Sequence, residues 1–103
     1  MKAIKEIVEY ICEELEDAEE YAEKALYYKE AGDPKLAETL YTIAQQEVGH
    51  INMLHTQATR LISEFKAQGR QVPESMQAVW DWEHEKMIKW KAKITAMLGM
   101  YKG

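Results

Sequence analysis

Apolar residues recur three and four positions apart along three long stretches of the chain. This spacing is typical of helices that each bury one face. It predicts helices at about residues 2–30, 34–68 and 73–97. With only five Gly and two Pro, the chain is expected to be all-α, with its 103 residues forming one domain.

The predicted helices end and begin at residues with clear positional preferences. Gly32 and Gly69 follow the first two helices, where glycine readily adopts the left-handed backbone of a helix end. Asp33 and Pro34 suit the N-cap and first position of the second helix, and Pro73 opens the third. The short connection predicts that the first two helices form an antiparallel hairpin, with a long third helix beside it.

A carboxylate interrupts the apolar face of each hairpin helix. The face around Glu47 is formed by Leu36, Leu40, Ile43, Ile51, Leu54, Ala58, Leu61 and Phe65. The face around Glu14 is formed by Ile4, Ile7, Ile11, Ala18, Tyr21, Ala25 and Tyr28. Both carboxylates lie at a similar distance from the turn, so we expect them at a similar depth. Each needs a partner, because an unpaired buried charge is costly.

His50 follows Glu47 by one turn and gives the spacing Glu-x-x-His, by which helical bundles present a carboxylate and an imidazole to a metal ion. The spacing alone is a weak signal, but Glu14, Glu47 and His50 all fall on faces that are otherwise apolar. These groups suit first-row ions such as iron, manganese or zinc. The alternative is a bundle whose carboxylates are protonated or hydrated and bind no metal.

The composition argues against several other classes of protein. Thirteen basic and eighteen acidic residues give a net charge of −5, without a basic cluster for nucleic acid or an anionic membrane. No segment has the roughly 18 continuous apolar residues of a membrane span, and the N-terminal residues do not resemble a signal peptide. Cys12 is the only cysteine, so no internal disulfide is expected. These features favour a cytoplasmic protein.

At its carboxylates the sequence resembles the ferritin-like superfamily, and most closely the encapsulated-ferritin branch. The segment Glu13-Glu14-Leu15-Glu16, with Tyr21 following, is similar to the first-helix motif of that branch. Residues 46–50, Gln-Glu-Val-Gly-His, are similar to its second-helix motif. Residues 21–25 also resemble rubrerythrins. The resemblance implies that the Glu and His side chains at positions 14, 47 and 50 bind iron, and that Tyr21 holds a ligating carboxylate by a hydrogen bond.

One hairpin contains only half of such a site. A di-iron bundle uses four Glu and two His from four helices, whereas Glu14, Glu47 and His50 supply two Glu and one His. Two copies related by a two-fold axis would supply the whole set. We therefore expect at least a homodimer, in which two hairpins complete a four-helix di-metal bundle. Residues 98–103 do not resemble a shell-targeting peptide, so an encapsulin shell is not expected as a partner.

The third helix carries further candidates. Glu83 lies within a stripe formed by Met76, Val79, Met87, Trp90, Ile94 and Met97. It is either an additional metal ligand or the partner of a Lys or Arg. Asp81 and His84 repeat the acid-x-x-His spacing, but they project from the polar side and are predicted to be exposed surface. His55 has no carboxylate three residues before it and is predicted to be structural.

The sequence thus predicts a protein that binds iron between two subunits and oxidises Fe(II), in iron handling or protection against oxidative stress. Glu14, Glu47, His50 and Tyr21 are the candidate catalytic residues of a ferroxidase-type oxidoreductase. Iron, manganese or zinc as the metal, dioxygen or peroxide as the oxidant, and storage or detoxification as the role all stay open. The rival hypothesis is a non-catalytic helical structural or interaction protein with a vestigial metal site.

Overall fold

The computed structural model describes residues 2–103, together with the side chains of all of these except residues 75 and 76, so the predicted stripe member Met76 lies outside the described side chains. Three helices account for nearly the whole described chain: α1 (Lys2–Glu30), α2 (Pro34–Ala67) and α3 (Glu74–Lys102). Residues 2–103 contain no strand, which confirms the all-α prediction. None of these helices is both long and apolar enough to cross a membrane.

The turn between α1 and α2 has the predicted capping chemistry. Gly32 adopts a φ of +89°, which ends α1 in the left-handed region that favours glycine. The side chain of Asp33 accepts a hydrogen bond from the backbone N–H of Leu36 at 3.2 Å, and Pro34 occupies the first position of α2. The chain therefore reverses direction within three residues and α2 packs back along α1.

The third helix runs parallel to α1 and antiparallel to α2. Three α1 residues in chain order contact three α3 residues in the same order: Cys12 with Glu83, Glu19 with Trp90 and Lys29 with Tyr101. Along α2, Tyr41 stacks on Tyr101 with ring centroids 4.4 Å apart, whereas His55 contacts His84. α3 continues to Lys102 instead of ending near residue 97, and its last turn packs on α2 through this stack. The result is an up-down-up bundle measuring 57 × 19 × 18 Å.

The core combines small side chains on the hairpin with larger ones from all three helices. Alanine side chains let the hairpin helices approach closely and are essentially inaccessible at Ala18, Ala22, Ala25, Ala37, Ala44 and Ala58. Larger buried side chains fill the remaining space at Ile11, Leu15, Ile51, Met87 and Ile94. α3 packs mainly against α1 and only lightly against α2.

The first half of the predicted α2 face is offset by one residue from the buried face. The structure buries Ala37, Tyr41 and Ala44, whereas Leu36 is exposed and the next two predicted members, at 40 and 43, are only half-buried. The alanines allow the close approach to α1, so the bulkier side chains turn towards the side of the hairpin that α3 does not cover. The prediction was wrong there, although Ile51 is fully buried as expected.

This uncovered side of the hairpin is called the open face. Its α1 side chains are half-buried and recur every seven residues: Ile7, Glu14, Tyr21 and Tyr28. Its α2 side chains are half-buried or exposed: Leu36, Leu40, Ile43, Glu47 and His50. Cys12 and Glu19, whose side chains bond to α3 along the middle of α1, lie about 140–160° around the helix from Glu14 at about 100° per residue. α3 therefore packs on the opposite side of the hairpin.

Candidate metal centre

The structure brings Glu14, Glu47 and His50 together at the middle of the open face. Each offers one ligand atom, and the three atoms lie within 4.8 Å of one another. The Nδ1 atom of His50 is 3.4 Å from Oε2 of Glu14 and 3.9 Å from Oε2 of Glu47. The predicted ligand set of a single hairpin is thus a spatial cluster formed by two neighbouring helices.

Helical geometry accounts for this meeting. Glu47 and His50 are three residues apart on α2, so their side chains lie on the same face one turn apart. Glu14 reaches them from α1 because the three-residue turn holds the hairpin in a register that places residue 14 beside residues 47–50. If α1 were shifted along α2 by one turn, Glu14 would move by about 5.4 Å and would no longer contact His50.

The cluster lies at the edge of the core and is accessible to solvent. The side chains of Glu14, Glu47 and His50 are 27%, 18% and 52% exposed, respectively. No polar or charged residue among those described is fully buried, so the expectation of buried carboxylates does not hold for the single chain. The reason is the position of α3 on the opposite side of the hairpin, which leaves the face around these residues uncovered.

The charge of the cluster is not balanced by basic side chains. In the described part of the chain, His50 is the only basic partner within 4.0 Å of the carboxylates of Glu14 and Glu47. Two carboxylates and an imidazole form a donor set that suits a first-row divalent cation. Three protein ligands leave coordination positions for water or for groups from a second chain. These residues therefore fit the metal that the sequence predicted.

Tyr21 lies on the open face two turns after Glu14. It is half-buried and packs against the hydrophobic core. Among the described contacts, its hydroxyl makes no hydrogen bond to Glu14, Glu47 or His50. Within one chain, Tyr21 therefore holds none of the ligands of the cluster.

The structure does not bring Glu83 into this cluster. The thiol of Cys12 donates a hydrogen bond to its carboxylate at 3.7 Å, and Lys86 Nζ lies 4.0 Å away from the same oxygen. Burial raises the pKa of the Cys12 thiol, and the negative charge of Glu83 raises it further. In the single chain, Glu83 thus contacts Cys12 and Lys86 and lies outside the cluster of Glu14, Glu47 and His50.

One arrangement on α3 differs from the sequence expectations, and a second was not anticipated. His84 is half-buried and its Nε2 lies 2.9 Å from Nε2 of His55, so the prediction that it is exposed surface was wrong. Trp90 donates a hydrogen bond from Nε1 to Glu19 at 2.7 Å, and Lys93 contacts the other oxygen of that carboxylate at 2.5 Å. The signal for His84 was the apolar spacing that it shares with positions 80, 87, 94 and 101.

Similarity to known proteins adds nothing to this geometry. No family model, curated protein or solved structure matches the chain. Fold and site together define an all-α, three-helix protein with a cluster of two glutamates and one histidine that could hold a metal ion. The assignment of a function therefore depends on the chemistry of this cluster and on the surface around it.

Proposed function

We propose that two copies of this chain meet through their open faces and form a ferritin-like di-iron carboxylate protein. The observation that carries the proposal is the position of the cluster. Glu14, Glu47 and His50 lie at the centre of a partly apolar surface that α3 leaves uncovered. A two-fold axis beside the cluster brings together four glutamates and two histidines, which is the ligand set of a di-iron bundle.

The apolar part of the open face supports a protein partner. Leu36 is exposed, and the apolar side chains at positions 40 and 43 are only half-buried although they flank the cluster. A second open face would cover these side chains and remove apolar area from water. The two hairpins would then form a four-helix bundle, with each α3 on the outside.

Electrostatics makes this association dependent on metal. Pairing two open faces would bring the carboxylates of Glu14 and Glu47 close to their symmetry mates, which is unfavourable unless protons or cations neutralise them. Bound divalent cations remove this repulsion. Because metal bound between the subunits stabilises only the dimer, iron or zinc is expected to shift the association equilibrium towards dimer.

The side chains suit the oxidation of Fe(II) as a substrate. Carboxylates such as Glu14 and Glu47 bind the harder ferric ion well, so they favour the oxidised product over the ferrous substrate. His50 adds a nitrogen ligand and stays half open to solvent, which leaves an approach for dioxygen or peroxide. In the proposed dimer, Tyr21 would donate a hydrogen bond to a ligating carboxylate and fix its orientation. The proposed role is cytoplasmic iron handling or protection against oxidative stress.

Iron loading tests this function directly. Protein purified with Fe(II) in air should contain about two irons per dimer, in line with the two-metal ligand set, and should consume oxidant as Fe(II) is added. Glu47→Ala should abolish iron binding, oxidation and the metal-dependent dimer. Glu38→Ala, at an exposed position on the same helix, is the matched control and should retain all three.

The rival hypothesis makes the opposite prediction. A non-catalytic helical interaction protein would contain no iron after loading, and Glu47→Ala would behave like Glu38→Ala. That result, obtained with folded variants, would reject the proposed function.

A further inference from the structure

Two histidines face each other where α3 meets α2, on the other side of the hairpin from the open face. The Nε2 atoms of His55 and His84 are 2.9 Å apart, and the two rings are nearly parallel, at 13°. The indole of Trp80 lies parallel to the ring of His84 at 6°, with centroids 5.5 Å apart. Both imidazoles are half-buried, so their ring nitrogens have limited access to water.

The distance between the two Nε2 atoms restricts what lies between them. Two protonated nitrogens cannot face each other at hydrogen-bond distance, and two bare lone pairs would repel. The pair therefore needs either one shared proton or one cation that accepts both lone pairs. Burial lowers the pKa of His55, with further contributions from the charges of His84 and Lys91.

We propose that His55 and His84 form a second cation site, which binds a metal ion that prefers imidazole nitrogen, such as Zn²⁺, Ni²⁺ or Cu²⁺. Two nitrogens that lie about 2.0–2.1 Å from one tetrahedral ion are about 3.3 Å apart. The observed 2.9 Å comes within a few tenths of an ångström of that spacing, so small side-chain rotations suffice. Water completes the coordination from the groove beside the pair.

The surroundings favour a site of moderate affinity. The groove beside the pair is lined by Asn52 and Lys91 together with apolar side chains, and Lys91 donates a hydrogen bond to the side chain of Asn52. The charge of Lys91 opposes any bound cation. On the α1 side, Glu83 and Lys86 lie beside His84 and their charges offset one another. This site differs from the carboxylate cluster, since it offers only nitrogen ligands and lies within one chain.

A metal ion bound by His55 and His84 would link α2 to α3. These helices pack only lightly against each other, so a metal ion held by one ligand from each would fix α3 where packing contributes least. Because the metal binds the folded chain and not the unfolded one, the midpoint of thermal unfolding should rise with Ni²⁺ concentration.

Calorimetric titration with Ni²⁺ tests the site on the full chain. Substituting Gln for each of the chain's three histidines in turn gives matched variants. All variants are made in a Glu47→Ala chain, which lacks metal binding at the carboxylate cluster. In this chain His50→Gln should retain one Ni²⁺, whereas His55→Gln and His84→Gln should each lose it. Saturable binding that survives both of the latter substitutions would overturn the proposal, as would an absence of binding by the Glu47→Ala chain, which would leave only a shared proton between the rings.

A fluorescence measurement shows whether the metal binds beside Trp80, independently of the histidine variants, which could lose binding because they unfold. Cu²⁺ held by His84 should quench the fluorescence of Trp80, because the indole stacks on that imidazole. Trp80→Phe should retain Cu²⁺ binding and lose most of the quenching, while Trp82→Phe, at an exposed position, should keep the quenching. Equal quenching in these two variants would contradict a site at the histidine pair.

Discussion

The hydrogen bond from Trp90 to Glu19 fixes α3 on α1, and Trp90→Phe tests its contribution. The indole N–H donates to a carboxylate oxygen at 2.7 Å, and the Glu19 side chain is 20% exposed. A hydrogen bond to a charged group contributes about 1.5–3 kcal/mol, and partial exposure puts this one towards the lower end. We therefore expect Trp90→Phe to lower the free energy of unfolding by about 2 kcal/mol at pH 7, which corresponds to a fall in Tm of about 8–16 °C.

The pH dependence gives an independent check on the same contact. Hydrogen bonds from Lys93 and Trp90 lower the pKa of Glu19 below its ordinary value of 4.5. A carboxylate whose pKa is lower in the folded state stabilises the fold above its unfolded pKa, and this contribution is lost as the pH falls through the folded pKa. Glu19→Gln should therefore be less stable than the parent at pH 7, and the difference should shrink below pH 4.5.

Urea unfolding followed by circular dichroism, on metal-free protein at one concentration, measures both effects. Trp82→Phe is the matched control, because Trp82 is exposed and its replacement should change stability by less than about 0.5 kcal/mol. If Trp90→Phe behaved like this control, or if the gap between Glu19→Gln and the parent stayed constant in acid, the reasoning about α3 docking would be refuted.

Three further substitutions address the core, the turn and the site. Ile51→Ala removes a fully buried side chain and should cost about 2–5 kcal/mol in urea unfolding, whereas the exposed Met53→Ala should cost little. Gly32→Ala places a side chain at a φ of +89° and should destabilise the fold by about 1–2 kcal/mol in the same assay. Tyr21→Phe should slow Fe(II) oxidation, measured by stopped flow, about 10- to 100-fold without changing the circular dichroism spectrum. An unchanged rate would mean that Tyr21 contributes only to packing.

The hairpin and its cluster could be predicted from the sequence because local chemistry determines them. Asp33 and Pro34 begin α2 by capping, whatever the rest of the fold does. Once the turn is fixed, helical rise alone brings Glu14 to the level of Glu47 and His50. The cluster needs no information about α3, which explains why periodicity was sufficient to find it.

The packing of α3 could be predicted only in part: Met87 and Ile94 of the predicted stripe are buried, whereas Val79 is exposed. The stripe that includes Glu83 and the one that includes His84 both carry apolar side chains at helical spacing, so periodicity does not choose between them. The choice depends on contacts between residues far apart in sequence, such as Trp90 with Glu19 and His55 with His84. The offset on α2 has a similar cause, because alanines at Ala37 and Ala44 pack closer to α1 than their larger neighbours can.

The proposed function requires that two copies of the chain share metal at Glu14, Glu47 and His50. Anomalous diffraction at the iron edge, from crystals of protein loaded with Fe(II), tests it most directly. We expect two peaks about 3.5–4 Å apart beside a two-fold axis, each in contact with these side chains from both subunits. Iron bound within one isolated chain, at Glu83 or elsewhere, or no peak at this cluster in a loaded crystal, would contradict it.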